Sequence, residues 1–254
     1  MSTGPSRDRG SRKHLLDWLE RGDFHQLAQG LLEGTNVRLA DTPHQQPRDR
    51  ASTEGYRELD LETYLRRHPI EFDAGTFPQD WWVDGRGTRP TWDLLCHVLV
   101  SEKPGVLLVE AKAHESELDW EGKQLQSTAK LASKKNHSKI ASCIEEAQAA
   151  FQNRFDGLFQ LSIDSHYQFA NRLAYAWKLA DLGVPAVLLY LGFNGDKYFT
   201  HDYIRDDRHW QRVMGGYIQG VVPHHFPERV HELAKGGSIQ MLVRSLPVFE
   251  ESTR

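Results

Sequence analysis

The sequence predicts an α/β fold, a mixed sheet flanked by helices. Three observations carry this. Residues 92–100 and 105–113 are rich in Leu and Val on both faces, the mark of strands covered on both sides. Residues 138–155 and 166–182 repeat apolar side chains at helical spacing. The second of these runs directly into "VPAVLLYLGF", 184–193, a buried strand, as in a crossover onto one sheet.

Each element follows from its local pattern. Leu15, Leu16, Trp18, Leu19, Phe24, Leu27, Leu31 and Leu32 place helix over 12–34, broken at Gly22-Asp23. Residues 41–55 are polar, contain two prolines and read as a loop. "YRELDLETYLRRH" predicts a short helix ending near Pro69. Residues 73–91 hold five glycines and prolines plus Trp81-Trp82 and read as irregular, with room for one short strand. Ile140, Ile144, Ala147 and Phe151 line one face of the next helix, with Ser138 as its N-cap. Gly183 closes the following one. Residues 206–219 predict another helix and "SIQMLVRSL", 238–246, an edge strand. The implied organisation is a mobile tail over 1–12, an N-terminal helical segment and loop over 13–55, an α/β core over 56–195, and a C-terminal extension over 196–254 packed on that core.

Bulk properties exclude some functions. The net charge of −4 rules out a uniformly basic nucleic-acid coat but leaves a local basic patch open. Two cysteines, Cys96 and Cys143, form no CxxC pair and no disulfide framework, which points to a reducing cytoplasm. None of the thirteen histidines stands in a zinc-binding spacing. No window approaches the ~18 apolar residues of a membrane span, and the polar N-terminus has no apolar region of a leader peptide.

The chemistry concentrates at one end of the predicted hairpin. Glu110 and Lys112 share a strand face, with Cα atoms about 6.5 Å apart. If the hairpin loop is Ser101 to Pro104, Val100 opposes Gly105, and Asp93 opposes Lys112 and lies diagonal to Glu110. A loop one residue longer or shorter would turn Asp93 to the other face unless a bulge corrected it. Two adjacent carboxylates repel, and a divalent cation removes the conflict; hard oxygen ligands suit Mg²⁺ or Mn²⁺. The Ala111 carbonyl offers a third ligand. Lys112 would orient a water on the ion, lower its pKa, or stabilise charge on a phosphate.

"WD" at the head of one strand and "VLLVEAK" on the next, with sixteen residues between Asp93 and Glu110, resemble the PD-(D/E)XK nuclease superfamily. The resemblance covers roughly residues 60 to 195 as topology and about three residues as motif. It implies a restriction-endonuclease-like αβββαβ core with N- and C-terminal helical additions. It makes Asp93 and Glu110 metal ligands, Lys112 the catalytic lysine, and Mg²⁺ or Mn²⁺ the cofactor. It implies hydrolysis of phosphodiester bonds, in DNA before RNA. Trp92 stands where the family has proline. Many members add an acid from an early helix, for which Glu58, Glu62 and Glu71 are candidates. A non-catalytic nucleic-acid- or protein-binding module on the same fold stays open, as does a homodimer.

Between Glu121 and Glu145 lie Lys123, Lys130, Lys134, Lys135 and Lys139 and no acid. They would hold a phosphate backbone, or form a solvated loop. Gln168 and Arg172, four apart on one helix, would face the same site, or simply cap the helix start and face solvent, the reading the residues favour by themselves. His114 and His224-His225 read as polar strand-end and loop residues, and Trp81-Trp82 as half-buried packing.

Overall fold

The apolar spacing of residues 12–34 becomes two helices. In the structure, a computed structural model describing residues 10–21, 23–48, 57–70, 76–85 and 87–249, α1 spans Ser11–Arg21 and α2 Phe24–Leu31. Asp23 caps α2, its carboxylate accepting from the amides of His25 and Gln26. Residues 1–9 of the expected tail, Gly22, and Glu71 lie outside the described residues.

Next comes a strand that periodicity does not reveal, β1 (Val37–Leu39), too short to display a repeat. β2 (Leu59–Asp60) takes the start of the expected helix, so α3 covers only Leu61–Arg67. The Asp60 carboxylate accepts from Thr63 N at 2.9 Å and sets that boundary. β3 (Thr91–Trp92) pairs with β2, apart from the main sheet. The hairpin strands are β4 (Leu94–Val100) and β5 (Lys103–Lys112).

The hairpin turn is tighter than expected. Val100 pairs with Lys103, not Gly105, because Ser101 and Glu102 both take positive φ and close a two-residue loop. Pro104 is tolerated inside β5 because pairing with the neighbouring strand starts only at Val106. The shift is two residues, so every side chain keeps its face.

α4 runs over Leu131–Arg154, starting at Leu131 instead of Ser138. Its early residues Leu131–Lys135 are all exposed, so no apolar period marks them. Ser138 is therefore inside the helix, its carbonyl accepting from Ser142 Oγ, and it is not the cap. α5 (Tyr167–Asp181), β6 (Ala186–Asn194) and α6 (Asp207–Ile218) follow as the pattern predicts. β7 (Val230–Glu232) and β8 (Ser238–Pro247) complete the sheet.

The six-stranded sheet has the order β1-β4-β5-β6-β8-β7. β5, β6 and β8 are parallel; β1, β4 and β7 run antiparallel to their neighbours. Two expectations change. β8 is an interior strand, buried over Ser238–Val243, and β7 forms the edge. The sheet also draws strands from both flanking segments, β1 from 13–55 and β7 and β8 from 196–254, so the additions at both ends are not purely helical.

Helices cover both faces. Leu107, Val109, Leu189 and Leu191 meet α1 and α2 on one side. Val106, Leu108, Leu188 and Tyr190 meet α3, α4, α5 and α6 on the other. This two-sided burial is why β5 and β6 show no polar alternation. Among the described residues no helix is long and apolar enough to cross a membrane.

Candidate functional site: a buried acid and base cluster

The carboxyl end of β5 carries charge where the rest of the strand carries Leu and Val. Glu110 and Lys112 share the α5 face with Leu108, and Asp93 shares it with Leu95. The β4–β5 pairing ends at Leu94 and Val109, so one further step sets Asp93 beside Glu110. This is the end of the parallel strands at which open α/β sheets hold their ligands.

Five polar side chains meet there. Lys112 Nζ donates to Glu110 Oε1 at 2.6 Å and to Gln168 Oε1 at 2.9 Å. Arg172 Nε donates to Glu110 Oε2 at 2.6 Å, and its Nη2 donates to the Thr91 carbonyl at 2.9 Å. The guanidinium lies 4.6 Å from the centre of the buried Trp92 ring. Asp93 Oδ2 accepts the Ala111 amide at 2.7 Å. Glu110, Lys112 and Arg172 are 2%, 4% and 7% exposed, so these contacts form in a low dielectric.

The two acids are driven apart. Burial opposes ionisation of Glu110, but Arg172 and Lys112 outweigh it and hold its carboxyl below the usual range. The Asp93 carboxyl is pushed well above that range, first by burial and then by Glu110, with Glu58 adding to it and Lys112 opposing. Glu110 therefore holds its negative charge with two cations, whereas Asp93 is the acid short of one.

Two carboxylates on one face, one lacking a countercharge, fit a hard divalent cation. Among the described residues, however, no three His, Cys, Asp or Glu side chains already gather as a ligand group. Each Glu110 oxygen already accepts one hydrogen bond from a cation and keeps a second lone pair. An ion shared by Asp93 and Glu110 would compete with Lys112 and Arg172 for that carboxylate; Lys112 keeps Gln168 if it lets go. The Ala111 amide is engaged by Asp93, and its side chain packs on the opposite face.

Asp93→Asn is expected to stabilise the metal-free protein by about 1–2 kcal/mol, or about 2–8 °C in Tm, by removing the group that burial and Glu110 disfavour as an anion. If Asp93 holds a divalent ion, Mn²⁺ should raise the Tm of the parent protein and not that of the variant. Melting curves with and without Mn²⁺ check both; a lower Tm for the variant, or an equal Mn²⁺ response, overturns the assignment of Asp93.

The other expected residues are distributed around this cluster. A cleft of about 250 Å³ is bordered by Arg89, Thr91, Lys123, Tyr167, Gln168 and Arg172. Lys123 Nζ lies 4.8 Å from the Tyr167 ring centre. Lys130, Lys134 and Lys135 are exposed around the start of α4, and Lys139 pairs with Asp84. His114 stacks on Phe199 at 4.0 Å and faces Asp202. His224 and His225 contact each other edge to face.

Glu62, the candidate extra acid, is engaged with Tyr175 and Arg89. It is 4% exposed, accepts from Tyr175 Oη at 3.1 Å, and has Arg89 Nε at 3.4 Å, while its Oε2 has no partner. Burial pushes its carboxyl up to about 7. Its folded value exceeds the unfolded one, so its contribution to stability is fully present below about pH 4.5 and is lost as pH rises to about 7. The loss is about 3 kcal/mol. Denaturant unfolding at pH 5 and pH 8 should show this loss together with that of Asp93, and Glu62→Gln should reduce the difference by about 2–3 kcal/mol; an unchanged difference in the variant contradicts the buried-acid account. Glu58, by contrast, presses on Asp93 and is the early acid nearest in influence to the cluster.

Sequence reasoning did not foresee that Arg172 would neutralise Glu110, or that Arg89 would border the cleft. The four-residue spacing of Gln168 and Arg172 was the available signal: both do reach the cluster, one on Lys112 and one on Glu110.

Fold and site together define an α/β protein with an Asp-Glu-Lys-Arg cluster at the carboxyl end of its parallel strands. No family model, no curated protein and no solved structure matches the chain.

Proposed function

We propose that the protein is a metal-dependent nuclease of the PD-(D/E)XK type, cleaving phosphodiester bonds in DNA. The observation that carries this reading is the convergence of Asp93, Glu110 and Lys112 on one face at the end of β5, with Asp93 short of a countercharge. The sequence of elements supports it. With β2, α3 and β3 set aside as an insertion, and α2 and β1 taken from the N-terminal segment, the elements α2, β1, β4, β5, the pair α4–α5, and β6 follow the αβββαβ order, with β1, β4 and β5 antiparallel and β6 parallel to β5.

Asp93 and Glu110 would hold the Mg²⁺ or Mn²⁺. When bound, the ion supplies an activated water and neutralises charge at the phosphate. Arg172 keeps Glu110 ionised and oriented, and the Thr91 carbonyl fixes the guanidinium. Gln168 holds the Lys112 ammonium at the mouth of the site, where it donates to a phosphate oxygen or to the attacking water. Arg89 and Lys123, which border the cleft, meet the flanking phosphates.

The test is incubation of purified protein with linear and circular DNA and with RNA, in Mg²⁺, Mn²⁺ and EDTA. Cleavage in the metals alone, lost in Asp93→Asn, is the expected result. No cleavage of any substrate overturns it. A second reading, a nucleic-acid-binding module without catalysis, is favoured by one observation: both Glu110 oxygens are tied to buried cations. Salt-sensitive DNA binding without cleavage would establish that reading.

A further inference from the structure

Six of the seven tryptophans are buried or half-buried, and Trp120 is the exception at 54% exposed. Its place is defined by the start of α5. The His166 amide donates to the Trp120 carbonyl at 3.1 Å, and the Tyr167 amide donates to the Glu121 carbonyl at 3.0 Å. Gly122 makes this approach feasible, because a Cβ there would lie 2.3 Å from the Asp164 carbonyl oxygen. The segment is thus held against α5 by backbone contacts, while the indole stays largely in solvent.

His166, which precedes α5, and the first two residues of the helix carry three partners in order. His166 meets the Trp120 ring at 5.0 Å with a tilt of 60°, Tyr167 lies under Lys123 at 4.8 Å, and Gln168 is against Lys112 at 2.9 Å. Tyr217 meets the indole edge to face at 5.1 Å and anchors the segment by donating to the Asp119 carbonyl at 2.8 Å. Among the described residues the two His166 ring nitrogens have no hydrogen-bond partner, and the imidazole packs against the indole at a tilt. An exposed indole, an ammonium and the cluster lysine are thus held by adjoining positions at the start of α5. A single strand, whose bases expose their faces and whose phosphates alternate with them, can offer a base to the first and a phosphate to the second.

We propose that Trp120, backed by His166, stacks an unpaired base of the substrate strand while Lys123 holds a phosphate between that base and the cleaved bond. This rests on the nuclease reading and assigns it a substrate class: DNA with a single-stranded segment at the site. The exposed acids Asp119 and Glu121 flank the indole, so the phosphate contact falls to Lys123, on the side of the cleft bordered by Arg89, Gln168 and Arg172.

The test is binding of labelled 12-mer single-stranded DNA, the blunt duplex of the same sequence and the matched RNA to the full chain in EDTA, by anisotropy. Trp120→Ala should weaken single-strand binding about 5- to 100-fold and leave duplex binding within about 2-fold. Trp120→Phe should retain most of the affinity, and Lys123→Gln should lower the salt slope by about one. Binding of DNA or of RNA supports the subsite and distinguishes its source. If Trp120→Ala binds and cuts single strands like the parent, the subsite is wrong and the nuclease reading stands. Equal losses on duplex and single strand, or self-association abolished by Trp120→Ala in sedimentation, also overturn the subsite. If the parent protein neither binds nor cleaves nucleic acid, both readings fail together.

Discussion

Glu110→Ala is expected to destabilise the fold by about 3–5 kcal/mol. The reason is the company Glu110 keeps. Its carboxylate is the shared counterion of Lys112 and Arg172, both nearly inaccessible to water. Deleting it leaves two buried cations beside a small void, with the Gln168 and Asn171 side-chain oxygens and the Thr91 carbonyl to accept their hydrogen bonds and Asp93 as the remaining acid nearby. Urea unfolding of the variant would show the loss as a fall in midpoint without a change in slope. Replacing Arg172 with Met in the same background should recover part of it, because one of the stranded charges is removed. A loss below about 1 kcal/mol would mean the cations find other partners, and the charge-balance account of the site would fail. The contrast with Asp93→Asn matters: two acids on the same face are expected to shift stability in opposite directions, because one is neutralised by its neighbours and the other is opposed by them.

Lys112→Ala is expected to lower metal-dependent cleavage by about 10³-fold or more while costing little stability. Arg172 still neutralises Glu110 in this variant, so no buried carboxylate is left alone. What disappears is the ammonium that Gln168 holds beside the site. Single-turnover cleavage at saturating Mg²⁺ separates this from weakened binding. Lys112→Arg should not restore the rate, because the position is 4% exposed and the larger planar group cannot keep both the Glu110 and Gln168 contacts. Activity within about 10-fold of the parent would remove Lys112 from the chemistry.

Much of the architecture was written in local pattern. A helix announces itself by neighbours three and four apart, and a strand covered on both sides by an unbroken apolar run; both signals lie within one element. α1, α2, α5, α6, β5 and β6 were legible for that reason. The face shared by Asp93, Glu110 and Lys112 was legible too, since side-chain alternation survives any shift of two residues in the hairpin.

Other features depend on residues far apart in the chain. The tight turn at Ser101-Glu102 requires two non-glycine residues at positive φ, a conformation their composition does not advertise. β1 is a strand only because β4 has an edge to pair with, and β8 lies inside the sheet only because β7 folds back to cover it. Arg172 finds Glu110 across sixty-two residues, and Trp120 reaches the start of α5 through a glycine whose value is the absent Cβ. The sequence by itself determined which faces are apolar and which carboxylates share a face. The tertiary structure alone decided how those charges are balanced, because electrostatic energy in a buried site depends on distances in space and on the water excluded from it, neither of which is a property of neighbouring letters.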